Sequence, residues 1–484
     1  MTSTSPVPSA YDFYEWHRWC KILPKVRRFS PLHDPKGRFT FYATARNAKR
    51  PGRPELELRE GVHGVRNRRL LTIYKETLER AYDFFVKQGR PEPERGKDGR
   101  VPVYVFAVDD DDLDCGSPCM DELLFLKPSG LPDRVVPVLA LPSRCAEPVW
   151  KTEEDQAQAT AVHELSHLFN ARFLPYRRLG AHGPELLPTE WISSWLWLDE
   201  GIAVAAEAEA VKAGVLSKNI DWLGFALDWV DRPGRALDDP AARYQSALFV
   251  RYVKRLMARQ KDPTFLNRVW QMAQTVWNPK QSQRLAAVQA LEQEFGRLAR
   301  PLVFCSAHKK DVFSSGFCLD SYFLHDPNSL GYEPEVSRRF KERAVTRTWP
   351  LRRGQAVAPK SPEWYPLAGL ACRYFRFIPG KETSRLKVIV KSKPGGSLRN
   401  VKAELALAAG RTKWYVPKTE VPSEWQSQSG HDLLICELPS FSSRTCNHAV
   451  LVVTNCAFAA EQPGQLPPFG YTQRIEFTVE AECS

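Results

Sequence analysis

The chain has 484 residues, more than one hydrophobic core usually serves, so two or three domains are expected. Its 43% hydrophobic and 26% charged residues are the composition of a folded soluble protein. No run of about eighteen apolar residues occurs, which argues against a membrane span. The first residues also lack the apolar segment of a secretory signal.

Positive charge is concentrated in the first 100 residues, which hold 22 Lys and Arg against 12 Asp and Glu, a net +10 of the chain's +12. Residues 1–58 are rich in Pro, Ser and Arg, and we expect a basic arm with little structure beyond a short strand at 39–42. Such an arm could contact an anionic surface, although basic runs are more often solvated faces. No recognisable nucleic-acid module occurs, so nucleic acid is not the expected partner.

The 11 cysteines leave the compartment open. Their odd number means that at least one thiol cannot pair within the chain. No CxxC has a matching partner, so a structural zinc site is not expected, and Cys115 with Cys119 would form at most a small disulfide loop. We expect some disulfides if the protein is extracellular and buried thiols otherwise, with secretion slightly favoured.

Hydrophobic spacing predicts the first elements in chain order. Residues 70–87 have helical spacing, and residues 101–108 and 135–141 have the character of strands. The acidic run at 109–112 lacks the ligand spacing of a calcium loop, so a solvated turn is the better interpretation.

The next predicted helix carries the most informative pattern, HELSH at residues 163–167. Thr152, three residues before Asp155, resembles a capping-box start. Residues four apart lie on one helical face, so His163 and His167 could bind one metal ion with Glu164 beside it. An apolar stripe borders the histidines and predicts that they are partly buried; it consists of Ala161, Val162, Leu165, Leu168 and Phe169. A helical histidine pair alone, however, is more often structural than metal-binding.

A second segment supplies a candidate third ligand. The sequence WLWLDEGIA at 195–203 opens another helix-like run that continues to Gly214 and contains Glu200. A catalytic zinc ion normally has three protein ligands and leaves the fourth position to water, and two histidines with one glutamate are a known set. The sequence therefore predicts one catalytic Zn²⁺ held by His163, His167 and Glu200.

HExxH followed downstream by W-L-x-E-G-x-A resembles the gluzincin clan of zinc metallopeptidases, over roughly residues 151–259. The resemblance implies His163, His167 and Glu200 as zinc ligands and Glu164 as general base. Metzincins fit worse, because their pattern needs glycine where Asn170 stands and histidine where Phe173 stands.

Tyr244 resembles the tyrosine with which many gluzincins stabilise the oxyanion. It lies at the start of a helix predicted from about Asp239 and Pro240. The alternative is that Tyr244 and Tyr252 pack against the core with their hydroxyls at its rim.

A departure from thermolysin-like proteins concerns the residue that orients a histidine ligand. Those proteins carry an aspartate four positions beyond the glutamate ligand, whereas this chain has Val204 there. Asp199 and Glu207 are nearby candidates for the role, because a ligating histidine usually donates its second ring proton to a carboxylate or carbonyl. Each could equally be an ordinary solvated helix charge.

The rest of the chain completes the predicted architecture. Helices are expected after Asp262 and at about 281–295, and short alternating strands such as 401–405 and 475–479 follow position 350. The predicted fold is α+β: a two-lobed, thermolysin-like catalytic domain at 59–349, with a mixed sheet and zinc helix before a helical lobe, and an all-β sandwich at 350–484 after it. In the clan an edge strand beside the metal binds substrate by strand addition, and residues 135–141 are our guess for that neighbourhood.

These features predict a zinc-dependent metallopeptidase that hydrolyses peptide or protein substrates. Zinc would lower the pKa of its bound water and polarise the scissile carbonyl, and Glu164 would pass the water's proton to the leaving amine. Tyr244 would donate a hydrogen bond to the oxyanion. The alternative is a catalytically silent scaffold of the same kind that acts as a binding or adhesion protein.

Overall fold

The structure is a computed structural model of the chain. It describes residues 11–13, 26–28, 34, 36–44, 48–50, 53–58, 68–96, 98–106, 124–128, 136–142, 152–173, 187–217, 231–232, 234–236, 239, 244, 246–247, 250, 345–357, 363–369, 371–399, 401–409, 413–415, 426–428, 430–455 and 474–484. The predicted helices after Asp262 and at 281–295 lie outside these residues.

The chain divides into two compact units. The first comprises Met1–Ile192, Ile202–Trp222 and Pro263–Gln274, and the second comprises Ser193–Gly201, Leu223–Asp262 and Thr275–Ser484. Helices and several sheets occur together, which confirms the predicted α+β class.

A six-stranded mixed sheet lies in the first unit. Its strands are β1 (Tyr11–Phe13), β2 (Val26–Arg28), β3 (Phe39–Thr44), β6 (Val101–Phe106), β7 (Leu124–Pro128) and β8 (Val136–Pro142), in the order β1-β7-β8-β6-β3-β2. A separate two-stranded ribbon consists of β4 (Ala48–Arg50) and β5 (Arg53–Leu58). The strands predicted near 101 and 135 are present, and the first 58 residues hold four more strands than the one expected there.

Strand β8, which covers the neighbourhood guessed for a substrate-binding edge at 135–141, lies between β7 and β6 in the sheet order. Val103 of β6 pairs with Leu139 on one side, and Leu124 of β7 pairs with Val138 on the other. Residues 136–138 pair with β7 and residues 139–142 pair with β6, so each has one partner strand, and strand addition near β8 stays a prediction. The strand does pack against the helix that carries the HELSH sequence.

Three long helices follow the predicted order: α1 (Arg68–Lys87), α2 (Glu153–Asn170, continued by a 3-10 turn at Ala171–Phe173) and α3 (Leu187–Lys212). Helix α3 begins eight residues before the expected start at Trp195. Pro188 is the second residue of α3, and proline is tolerated in a first turn because its missing N–H is not needed there. The helical spacing of apolar residues begins only at Trp195, so it did not predict the first eight residues of α3.

Helix α2 packs against α1 through aromatic rings. Phe169 meets Tyr82 and Phe85 with both ring centroids 5.2 Å away in edge-to-face arrangements. The predicted apolar stripe of α2 is buried throughout. This packing fixes which face of α2 turns away from α1.

The β-rich part of the second unit contains two further sheets. The strands are β9 (Val345–Pro350), β10 (Ala356–Val357), β11 (Tyr365–Leu367), β12 (Ala371–Ile378), β13 (Leu386–Ser392), β14 (Val401–Ala409), β15 (Lys413–Tyr415), β16 (Gln426–Gln428), β17 (His431–Leu438), β18 (His448–Asn455) and β19 (Ile475–Cys483). One sheet has the order β10-β19-β13-β17-β16 with β11 beside β19, and the other has the order β15-β14-β18-β12-β9. Alternate residues of both sheets contribute to one hydrophobic core, which includes Phe375, Val388, Leu405 and Phe477.

The four described cysteines, Cys372, Cys436, Cys446 and Cys483, are buried as thiols. Burial raises the pKa of the Cys446 and Cys483 thiols, which keeps them protonated and weakly nucleophilic. The suggested Cys115–Cys119 loop lies outside the described residues. Among the described helices, none is both long and apolar enough to cross a membrane.

The predicted start of α2 can be tested at its cap. The Thr152 hydroxyl accepts a hydrogen bond from the Asp155 backbone N–H at 3.1 Å, as expected for an N-cap. Replacing Thr152 with Ala should lower the free energy of unfolding by about 1 kcal/mol, because that N–H loses its partner. Chemical denaturation of Thr152→Ala beside Thr152→Ser, which keeps a hydroxyl, measures the difference. Equal losses in both variants would contradict the capping role.

Candidate metal centre

Helix α2 and the downstream half of α3 run antiparallel to each other where their side chains meet. Near the start of α2, the Gln158 side chain accepts a hydrogen bond from the Ser217 backbone N–H, just beyond α3, at 3.2 Å. One and a half turns further along α2, His163 meets Glu207, which precedes Ser217 in the chain. This register brings the HELSH turn of α2 beside the glutamates of α3.

The three predicted ligands form one group. One ligand atom from each of His163, His167 and Glu200 lies within 4.8 Å of the others, and a metal ion could be held there. The two imidazole rings have centroids 4.8 Å apart. Zinc bonds to such atoms are about 2.0–2.2 Å long, so small side-chain rotations would bring all three onto one ion.

Burial makes this group unusual for polar residues. His163, His167 and Glu200 are 9%, 5% and 5% exposed, respectively. Burying an ionised carboxylate is costly unless it is paired or coordinates a metal. Two imidazole nitrogens and one carboxylate oxygen are a donor set that suits zinc, so the residues present fit a zinc ion.

Glu207 orients His163. Its Oε1 lies 2.6 Å from His163 Nδ1, and Glu207 is itself 7% exposed. When Glu207 is ionised its carboxylate accepts the hydrogen bond, so Nδ1 carries the hydrogen and a neutral His163 ring keeps the lone pair of Nε2 for a metal. Of the two carboxylates that the sequence offered for this role, Glu207 makes the contact and Asp199 is half-exposed.

Glu164 follows His163 directly on α2 and is 1% exposed. Its carboxylate is therefore closed to bulk water. A carboxylate enclosed in this way beside a metal ion would be suited to exchange protons with a substrate rather than with bulk water.

Arg90 fixes the end of α2, a feature that the sequence did not suggest. Its guanidinium donates to the Ser166 hydroxyl at 3.1 Å and to the Ser166 carbonyl at 3.0 Å, and it also contacts the Asn170 side chain. It lies 4.5 Å from the ring centre of Phe85 and 5.5 Å from that of Phe169. A cation at a helix C-terminus interacts favourably with the last carbonyls, and this one holds the turn that carries His167.

Residues close to Arg90 in the chain, within segment 88–96, contact the helices around it. Gln88 donates to Glu209 of α3 at 3.0 Å, and Glu94 accepts from Arg172 beyond α2 at 3.0 Å. The Tyr82 hydroxyl of α1 donates to Glu92 at 2.6 Å, and burial together with this carboxylate raises the pKa of Tyr82 to about 12. Segment 88–96 therefore ties α1 to α2 and to the end of α3.

Tyr244 is half-buried and its own backbone is helical. Two residues later, Ser246 is fully buried and donates its hydroxyl to the carbonyl of Trp197, one turn of α3 before Gly201. The oxyanion role of Tyr244 stays a prediction, and Tyr252 lies outside the described residues.

Comparison with models of known protein families and with curated proteins found no match to this chain. What can be inferred about function therefore comes from the site itself.

The hydrogen bond to His163 gives Glu207 a testable role. Glu207→Gln should weaken zinc binding about 10- to 100-fold, because the amide no longer fixes the ring tautomer with a charged acceptor. Titration with zinc against a competing chelator measures the change. Glu209→Gln, two residues further along α3 and bonded to Gln88, is the matched control and should keep the wild-type affinity. An unchanged affinity in Glu207→Gln would contradict the orienting role.

Proposed function

We propose that this protein is a zinc-dependent metallopeptidase of the gluzincin type. The observation that carries the proposal is the convergence of His163, His167 and Glu200 in one buried group, with Glu164 next to the first histidine. All four positions match the residues that the clan-like motif nominated. A peptide or protein is the corresponding substrate.

Each residue has a defined task in the proposed reaction. His163, His167 and Glu200 would hold the ion, and Glu207 keeps His163 in the tautomer that leaves Nε2 available. A zinc ion bound there would supply Lewis acidity, which lowers the pKa of water toward neutrality and polarises a carbonyl. Glu164 would accept the proton of the attacking water and deliver it to the leaving amine nitrogen.

Tyr244 would act on the oxygen of the reacting carbonyl. Its phenol would donate a hydrogen bond to the oxygen that gains negative charge as the water adds. The stretch that carries Tyr244 is attached to α3 at the turn of Glu200 through Ser246 and Trp197. This attachment supports the role, because it joins the residue two positions after Tyr244 to the turn of α3 before Glu200.

We include in this proposal a two-lobed catalytic domain followed by a β-sandwich. A gluzincin would arrange the mixed sheet and α2 as one lobe and the later helices as a second lobe. The strands after position 350 would form a β-sandwich that supports or extends the enzyme. Two sheets with a shared core in that region are consistent with a sandwich.

Metal content and peptide cleavage, measured together on three proteins, test the proposal. Wild type should bind about one zinc and cleave peptides. Glu164→Gln should keep the zinc and lose cleavage, because an amide cannot take the proton, whereas Glu200→Ala should retain zinc poorly. Wild-type protein without zinc would sink the enzyme assignment, and zinc without cleavage of a broad peptide library would favour the silent binding scaffold.

Tyr244→Phe separates the oxyanion role from simple packing. Loss of a hydrogen bond to the oxyanion should lower kcat about 100-fold, on the order of 3 kcal/mol in the barrier, with little change in zinc content. Tyr365→Phe, which alters a tyrosine in the core of the β-rich region, is the control and should leave kcat intact. A kcat for Tyr244→Phe within a few-fold of wild type would favour the packing interpretation.

A further inference from the structure

Gly201, the residue after the ligand Glu200, lies at a point of unusually close approach. A Cβ atom at Gly201 would lie 3.0 Å from both the Cβ and the backbone carbonyl carbon of Ser246, and closer still to the Ser246 hydroxyl. Cβ atoms in folded proteins essentially never approach other heavy atoms more closely than this. Only glycine therefore allows the Ser246 backbone to rest on α3 at this turn.

The Ser246 hydroxyl uses the opening that Gly201 leaves. It donates to the carbonyl of Trp197, which is also the helical acceptor for the N–H of Gly201, four residues later. A side chain on residue 201 would cover this carbonyl, whereas glycine leaves room for a second donor. Trp197 and Ser246 are 1% and 0% exposed, so the contact is closed to water.

Glycine in a helix interior costs roughly 1 kcal/mol relative to alanine, so its presence in the middle of α3 needs a compensating reason. The residues that follow it are mostly small or β-branched and buried: Ile202, Ala203, Val204, Ala205 and Ala206. None of these neighbours is glycine. The glycine falls at the turn of α3 that carries Glu200, the proposed third ligand, and that Ser246 contacts.

We propose that Gly201 and Ser246 are positioning residues that fix the Glu200 turn of α3, and so set the zinc affinity of the site. The inference rests on the proposed function and deepens it. Ser246 holds the backbone between Trp197 and Gly201 in one conformation, and Glu200 lies within that turn. The same contact anchors the stretch that carries Tyr244, so ligand and proposed oxyanion donor share one support.

A double-mutant cycle on the full-length protein tests this coupling, with the zinc dissociation constant as the readout. Ser246→Ala, which removes the hydroxyl, should weaken zinc binding about tenfold, as loss of an outer-shell support does. Gly201→Ala should weaken it more, because the new methyl group displaces the Glu200 turn. The double variant should bind zinc better than Gly201→Ala alone, because the closest clashing atom is gone.

Two matched variants in the β-rich sheets control for general damage. Gly380→Ala introduces a Cβ at 2.7 Å from the Leu351 carbonyl oxygen, and Ser392→Ala removes a buried hydroxyl that accepts from Asp432 N at 2.8 Å. Both should lower the free energy of unfolding of the metal-free protein and leave zinc affinity within twofold of wild type.

The outcomes are distinguishable. Zinc affinities within twofold of wild type in Gly201→Ala and Ser246→Ala, or strictly additive losses in the double variant, would overturn the positioning role while leaving the enzyme proposal intact. Absence of zinc from wild type would overturn both. If Gly201→Ala does not fold, Ser246→Ala decides alone, since it adds no atom.

Discussion

Buried carboxylates on α3 need partners, and this need governs the centre of the protein. Glu200 and Glu207 lie on a helix whose other residues from Trp197 to Ala208 are almost all apolar and enclosed. A carboxylate in such a place is tolerated only when it is hydrogen-bonded, paired or bound to a metal. Glu207 meets His163, and Glu200 joins the two histidines. These polar contacts join α2 to α3 at the site.

Around this centre, the structure stabilises α2 at both ends. Thr152 caps its first turn, and Arg90 holds the carbonyl and side-chain groups of its last turn. Arg90 follows Gly89, whose φ of 74° ends α1 and turns the chain toward α2. A left-handed residue after a helix is most easily glycine, so a single backbone requirement at the end of α1 directs a guanidinium to the HELSH helix. The turn that carries His167 is thereby held in place by the protein itself, which would lower the cost of binding a metal ion there.

A second feature of the site is the close approach of one backbone to another at a glycine. Gly201 lets Ser246 reach a helix carbonyl. Such contacts depend on missing atoms rather than on chemistry, so they leave only a weak trace in a sequence. The W-L-x-E-G-x-A pattern contained the glycine, but nothing in the spacing of the letters showed what it accommodates.

The sequence by itself determined the helices near 70, 153 and 195 and the strands near 101 and 135, and it placed His163 and His167 on one helical face, because periodicity and four-residue spacing are properties of one segment at a time. Only the tertiary structure decided that Glu207 meets His163, that Arg90 closes the end of α2, and that β8 lies between two other strands. Each of these outcomes depends on which surfaces meet across 10 to 80 residues of chain, and no local pattern encodes that choice. The start of α3 at Leu187 was also not predictable from the sequence, since the spacing that predicted the helix begins only at Trp195.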